Sequence, residues 1–218
     1  MKDKVLDYFI DPSKPIYQNR DHFCFNTDTK LLVQFAKVKK GERILDIGTN
    51  NGALLVGLDG KEAAELVGVE ILYEPFLIAK TNQEKFINDP CKIVHSAIQD
   101  FDDDLFDVIV SNPPYFKKDA THPNMEQNLR QLGRVEENLT LEELVENAQR
   151  LLKSYGRFYL VHRPNRLNDI FKTLHAHSFQ VKTLQTAYDK RTHSIKSILI
   201  EAIKEGNCDC SILPSIEI

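Results

Sequence analysis

Asp107-Val108-Ile109-Val110-Ser111-Asn112-Pro113-Pro114-Tyr115-Phe116 is an apolar run that stops abruptly in Asn-Pro-Pro-Tyr. Val, Ile and Val in unbroken succession read as a strand buried on both faces, and two prolines end it because neither offers a backbone N–H to a neighbour. The polar tetrapeptide therefore falls at a strand's carboxyl end. In an open α/β sheet, that is the edge along which ligands bind.

The residues at that edge suit one kind of chemistry. Asn112 carries a side-chain carbonyl, and Pro113 has a backbone carbonyl but no N–H, so together they present two acceptors to one planar NH2 group. Such an amine is a poor nucleophile because its lone pair is delocalised into a ring or carbonyl. Two acceptors on its hydrogens favour a more tetrahedral nitrogen and stabilise the positive charge that develops on attack. Tyr115 and Phe116 can lie flat against the same planar group, and base stacking on an aromatic is worth about 1–3 kcal/mol. An Asn-Pro pair alone would mark no more than a turn. The strand before it and the aromatics after it favour a site.

Gly41-Glu42-Arg43-Ile44-Leu45-Asp46-Ile47-Gly48-Thr49-Asn50-Asn51-Gly52-Ala53-Leu54-Leu55 is the second informative stretch. Ile44, Leu45 and Ile47 make a short strand, Gly48 and Gly52 bracket a tight loop, and a helix follows from about Ala53. Asn50 and Ala53 stand where a Gly-x-Gly-x-x-Gly dinucleotide loop would have its second and third glycines, so the pyrophosphate reading is weak. The next strand, Leu66-Val67-Gly68-Val69-Glu70, ends in an acid that can accept both hydroxyls of a ribose. Ile71 and Leu72 after it could flank an adenine ring.

Composition bounds the remainder. A chain of 218 residues, 42% hydrophobic, is long enough for one substantial core and short for two domains. No apolar run approaches the roughly 18 residues of a membrane span, and Met1-Lys2-Asp3-Lys4-Val5 opens no signal peptide, so the chain reads as soluble and cytoplasmic. Cys24, Cys91, Cys208 and Cys210 lack paired zinc spacing and read as free thiols. The net charge of −4 argues against a globally basic nucleic-acid binder, yet a local basic patch is sufficient to contact phosphates. Asp102-Asp103-Asp104 reads as a solvated turn, without the interleaved ligands of a metal loop.

Residues 1–26, punctuated by Asp11-Pro12-Ser13-Lys14-Pro15, read as an arm laid over the domain. A helix is expected from a Thr27 or Asp28 cap through Val38, with Leu31, Leu32, Phe35 and Ala36 on one face. Glu74-Pro75 starts another helix, and Cys91 to Phe101 is a third strand with a short connection. Thr140-Leu141-Glu142-Glu143 is a capping box whose helix carries Leu144, Val145, Ala148, Leu151 and Leu152 inward. Arg157 to Val161 is a fifth strand, followed by the basic cluster His162-Arg163-Pro164-Asn165-Arg166. Phe179–Tyr188 and Ser194–Ile203 alternate as two further strands around a hairpin loop at residues 189–193. Residues 27–204 thus form one α/β domain and 205–218 a short tail. The seven strand candidates, the first five separated by helices or crossovers and the last two adjacent, describe a doubly wound, mostly parallel sheet ending in an antiparallel hairpin.

Asn-Pro-Pro-Tyr at this place resembles the motif of S-adenosylmethionine-dependent methyltransferases that act on exocyclic or amide nitrogens, and Asp46-x-Gly48-x-x-x-Gly52 resembles the first motif of their Rossmann-like class I fold. The resemblance spans roughly residues 20 to 204. Phe25-Asn26-Thr27-Asp28-Thr29-Lys30-Leu31-Leu32, Ser111 to Phe116 and Leu160-Val161-His162-Arg163-Pro164-Asn165-Arg166-Leu167 bring it close to tRNA adenine-N6 methyltransferases that modify the purine beside the anticodon of a valine tRNA. It implies S-adenosylmethionine as cofactor and no metal. Asp46, Gly48, Gly52 and Glu70 become cofactor residues, joined by Ala97 and Ile98 where the family commonly places an Asp for the adenine amine, and by Asn112. Asn112, Pro113, Pro114 and Tyr115 become catalytic, and a stretch such as Phe23 or Phe25 with Asp28 covers the cofactor. Tyr115, Phe116, Lys117, Arg134 and Arg163 are the implied substrate contacts, with Lys118 and Arg130 completing a basic edge toward a structured RNA. Asn50 in place of the motif's middle glycine is a departure that Asn's tolerance of left-handed backbone accommodates. Alternatives are methylation of a protein glutamine, whose enzymes usually carry a helical amino-terminal domain, DNA adenine methylation, and a cofactor- or RNA-binding module without activity.

Overall fold

A computed structural model describes residues 4–10, 12–19, 22, 24–113 and 139–218. In chain order the elements are β1 (Lys4–Tyr8), β2 (Pro15–Asn19), α1 (Thr27–Phe35), β3 (Arg43–Ile47), α2 (Ala53–Leu58), β4 (Glu65–Glu70), α3 (Tyr73–Phe86), β5 (Cys91–His95) and β6 (Phe106–Ser111). After the undescribed segment come α4 (Leu141–Leu151), β7 (Leu152–His162), α5 (Leu167–Ala176), β8 (Phe179–Asp189), β9 (Ser194–Lys204), β10 (Ser211–Ile212) and β11 (Ile216–Glu217). The main sheet has the order β8-β9-β7-β6-β3-β4-β5, with β10 and β11 both pairing along the outer side of β8. Strands β3 to β7 are parallel, and β9 runs antiparallel to both β7 and β8.

The β-branched strand is as buried as its composition requires: Val108, Ile109 and Val110 are all 0% exposed. Alternation along the parallel strands divides two cores. Leu45, Ile109, Phe158 and Leu160 face α4 and α5, while Ile44, Val108, Val110, Tyr159 and Val161 face α1 and α2. From β3 the chain winds outward through β4 and β5, then returns to start β6 on the other side. In open α/β sheets ligands bind where the winding reverses, which here is at the carboxyl ends of β3 and β6.

Several expectations are corrected. Among the described residues the main sheet has nine strands rather than seven, because the tail contributes β10 and β11. The first 26 residues, read as an arm, contain an antiparallel hairpin, β1 with β2. Buried Asn82 holds it down, accepting from Tyr17 N at 2.8 Å and donating to Tyr17 O at 2.8 Å and Asn51 O at 2.7 Å. Helix α1 is capped by Asn26 and ends at Phe35, earlier than Val38. Strand β7 starts at Leu152, so the last residue of the expected helical stripe belongs to the sheet. Nor is the acidic run simply solvated. Asp103 pairs with Lys92 at 2.7 Å and Arg43 at 3.2 Å, although Asp102 stays exposed. Among the described residues, no helix is long and apolar enough to cross a membrane.

Candidate active site

The turn after β3 is built on positive backbone dihedrals. Gly48 has φ +72° and Gly52 φ +79°, and Asn50 between them has φ +52°, a conformation Asn reaches more easily than most residues. Gly48 N and Thr49 N both donate to Val69 O at 3.0 Å, and Asn50 N donates to Glu70 Oε2 at 2.7 Å, so the turn is tied to the end of β4. A Cβ added at Gly48 would meet nothing within 4 Å, which leaves this backbone open to close approach.

Two carboxyl groups lie beneath the turn. Asp46 is fully buried, accepts from Thr49 Oγ1 at 2.7 Å through Oδ2, and has no partner for Oδ1 among the described residues. Burial pushes its pKa up to about 7; the Thr49 bond opposes the rise and the Glu70 charge adds to it. Asn51, 3% exposed, likewise has Nδ2 without a partner among the described residues. Glu70 is nearly buried, and that raises its pKa against the backbone N–H groups of Leu72 and Asn50, which lower it. Those N–H groups leave lone pairs on both carboxylate oxygens for further donors.

Beside the turn, Gly48, Val69, Ile71, Ala97 and Ile98 line a hollow open to solvent. Its wall beyond β5 is fixed from outside: Arg150 Nη2 donates to Ile98 O at 3.0 Å and to Phe101 O at 2.8 Å. The slot is mostly apolar, as a ring-binding surface would be. Gly48 and the adjacent pair Ala97 and Ile98, far from it in sequence, share it.

Strand β6 delivers Asn112 next to β3, where Ser111 Oγ donates to Ile47 O at 2.9 Å. The Asn112 Nδ2 donates to Thr29 Oγ1 of α1 at 3.0 Å. Pro113 is buried. Phe23, Pro114, Tyr115, Phe116, Lys117, Lys118, Arg130 and Arg134 lie outside the described residues. Asp46, Gly48, Gly52, Glu70, Ala97, Ile98 and Asn112 thus lie along the carboxyl ends of β3 to β6. Arg163 follows β7, paired with Asp28 at 3.2 Å and donating to Lys196 O at 2.9 Å and Ser197 Oγ at 3.2 Å. Asp28 is itself buried and accepts from Ser197 Oγ, so α1, β7 and β9 are joined there.

Three contributors escaped the sequence reading. Thr49 sits inside the glycine turn, three residues after Asp46, a spacing that could have flagged it. Thr29 and Arg150 gave no local signal, since their partners lie 83 and 52 residues away.

Solved structures share this fold. The Agrobacterium tumefaciens protein Atu636, a predicted O-methyltransferase, superposes with a TM-score of 0.66 at 16% identity, covering 88% of this chain and 87% of that one. The ribosomal protein L11 methylase of Lactobacillus delbrueckii gives 0.58 at 19%, covering 82% and 77%. The fold is the Rossmann-like class I methyltransferase fold. More particularly, the family model of the methyltransferase small domain matches residues 22–189, and the chain belongs to that family. Relatives named tRNA1(Val) (adenine(37)-N6)-methyltransferase include one from Dyadobacter fermentans, 34% identical over 138 residues, or 62% of this chain and 56% of the relative. Another, from Bacteroides thetaiotaomicron, is 36% identical over 154 residues, 67% and 62%. The chain thus spans less than two thirds of the length of these curated relatives.

Proposed function

We propose that this protein is an S-adenosylmethionine-dependent methyltransferase acting on adenine N6 in a transfer RNA. The observation that carries the reading is the adjacency of Asn112, at the end of β6, to the Asp46–Gly52 turn at the end of β3, where the sheet's winding reverses. The names of the relatives support the adenine and tRNA parts of it.

The residues fit the cofactor. Asp46 Oδ1 is a buried acceptor without a partner among the described residues, suited to an ammonium, and Gly48 offers a backbone unobstructed by a side chain. Glu70 would take the ribose hydroxyls, and the slot against Ile71, Ala97 and Ile98 would take the adenine ring. When bound, S-adenosylmethionine supplies an electrophilic methyl group on a sulfonium.

The chain's own groups orient the acceptor. Asn112 Oδ1 and the Pro113 carbonyl receive the two hydrogens of the adenine amine, and this stabilises the charge that builds on nitrogen. Tyr115 and Phe116 stack on the base, which must leave its helix or loop to arrive. Lys117, Arg134 and Arg163 are the basic residues proposed to meet phosphates, and RNA affinity would then fall steeply with salt.

The test is methyl transfer from tritiated S-adenosylmethionine to total RNA, total protein and genomic DNA in parallel, with nucleoside analysis of whichever takes label. Label in RNA as N6-methyladenosine is expected; label confined to protein glutamine would replace the reading. Asn112→Ala should lower transfer by about 100-fold or more while cofactor binding by calorimetry is kept. Unimpaired turnover in that variant refutes the assignment.

A further inference from the structure

The Asn112 carboxamide has two ends of similar shape and opposite polarity, and only one serves an amine acceptor. Its oxygen receives the amine's hydrogens; its NH2 would oppose them. A half-turn about the last side-chain bond exchanges the two at almost no cost in volume. The fold must therefore choose.

The contacts that choose run through the first turn of α1. Thr29 N donates to Asn26 Oδ1 at 3.1 Å, and a backbone N–H has no other role to play, so the Asn26 oxygen is fixed toward the helix. Thr29 Oγ1 lies 3.2 Å from that same oxygen and 3.3 Å from Asn26 N. A hydroxyl has one hydrogen. With that hydrogen on Asn26 Oδ1 and one lone pair receiving Asn26 N–H, Thr29 turns a lone pair toward Asn112, whose Nδ2 is 3.0 Å away. Toward Asn112 it is an acceptor only. The carboxamide gives it the NH2 end, which turns the oxygen end away from Thr29. Thr29 is 4% exposed, so water competes little for these bonds. Helix capping alone does not call for Thr here, because the usual residue at this third position is Glu or Gln.

We infer that Thr29, with Asn26 behind it, is a positioning residue that sets the rotation of Asn112 so that its oxygen meets the acceptor amine. The inference deepens the amine-methylation reading and rests on it. Thr29→Val keeps shape and removes the hydroxyl. With unfractionated transfer RNA as acceptor, it should lower kcat by about 10- to 100-fold and leave KM for S-adenosylmethionine and for RNA within about two-fold. Thr29→Ser and Asn26→Asp keep the acceptor pattern and should hold kcat near the wild type, whereas Asn26→Ala, which frees the hydroxyl hydrogen, should fall between.

A readout independent of turnover is the Asn112 side-chain NH2 pair in 15N NMR spectra, identified by its loss in Asn112→Ala. The pair should shift and exchange faster with solvent in Thr29→Val but not in Thr29→Ser. Wild-type kcat in Thr29→Val, equal losses in Val and Ser variants, or an unmoved NH2 pair would overturn the inference. If the wild-type protein labels no nucleic acid, the methyl-transfer reading is what fails, and the NMR comparison still decides whether Thr29 sets the amide.

Discussion

Asp46→Asn tests the site through stability rather than turnover. The Asp46 carboxyl is fully buried, held by one hydrogen bond from Thr49, and its pKa is pushed by burial from 3.8 to about 7. A carboxyl whose folded pKa exceeds its unfolded one binds its proton more tightly in the folded state. Its contribution to stability is therefore largest below pH 3.8, declines as pH rises from about 4 to about 7, and is level above that. At 1.36 kcal/mol per pH unit the decline amounts to about 4 kcal/mol at most. Asn is neutral at every pH, nearly the same size, and keeps an oxygen for Thr49.

The stability of Asp46→Asn minus that of the wild type should thus grow by about 2–4 kcal/mol between pH 4 and pH 7 and then stay constant. The wild-type curve alone would mislead. His162, whose pKa burial lowers to about 3, loses stability in the opposite direction, as pH falls below its usual 6.5. Both proteins share His162, so the difference cancels it. Urea unfolding at pH 4, 5, 6, 7 and 8 supplies the numbers, and calorimetry at pH 8 should show the stabilised variant binding S-adenosylmethionine more weakly. A difference that does not vary with pH refutes the claim that Asp46 is held without its solvent.

Two glycines should fail for different reasons. Gly57→Ala would put a Cβ 2.6 Å from Val33 Cγ2 and 2.8 Å from Phe9 Cε1, so urea unfolding should show a loss of about 1–3 kcal/mol. Gly48→Ala meets nothing within 4 Å and costs only about 1–2 kcal/mol for its positive φ, yet should weaken cofactor binding. Arg150→Met removes the donors that fix Ile98 O and Phe101 O; S-adenosylhomocysteine affinity by calorimetry should fall several-fold while Asn112 chemistry at saturating cofactor is unchanged.

Local features of the chain were legible because their causes are local. Asp46, Gly48 and Glu70 announce themselves at strand ends, Asn50 stands where a positive φ is needed, and Thr140 caps α4 through Glu143 as its spacing requires. Three cap-competent residues in a row, Asn26, Thr27 and Asp28, left the start of α1 ambiguous by one or two positions. The β1–β2 hairpin was hidden because its register pairs Lys4 with Asn19 and its stability comes from Asn82, some 65 residues from Tyr17. Leu152 continues a helical stripe in sequence, and only its pairing with Phe106 makes it a strand residue. Asp103 looks solvated until β3 and β5 bring Arg43 and Lys92 beside it.

The tail's two short strands change what the molecule offers to a second copy of itself. A strand at the margin of a sheet is a template for main-chain pairing with any extended segment that drifts past. On β8 that template is interrupted at two places, by Ser211 and Ile212 opposite Thr183 and Leu184, and by Ile216 and Glu217 opposite Ala187 and Tyr188. The opposite margin is β5, only five residues long and flanked by Pro90. Among the described residues, association by continuation of the sheet is thereby discouraged at both margins.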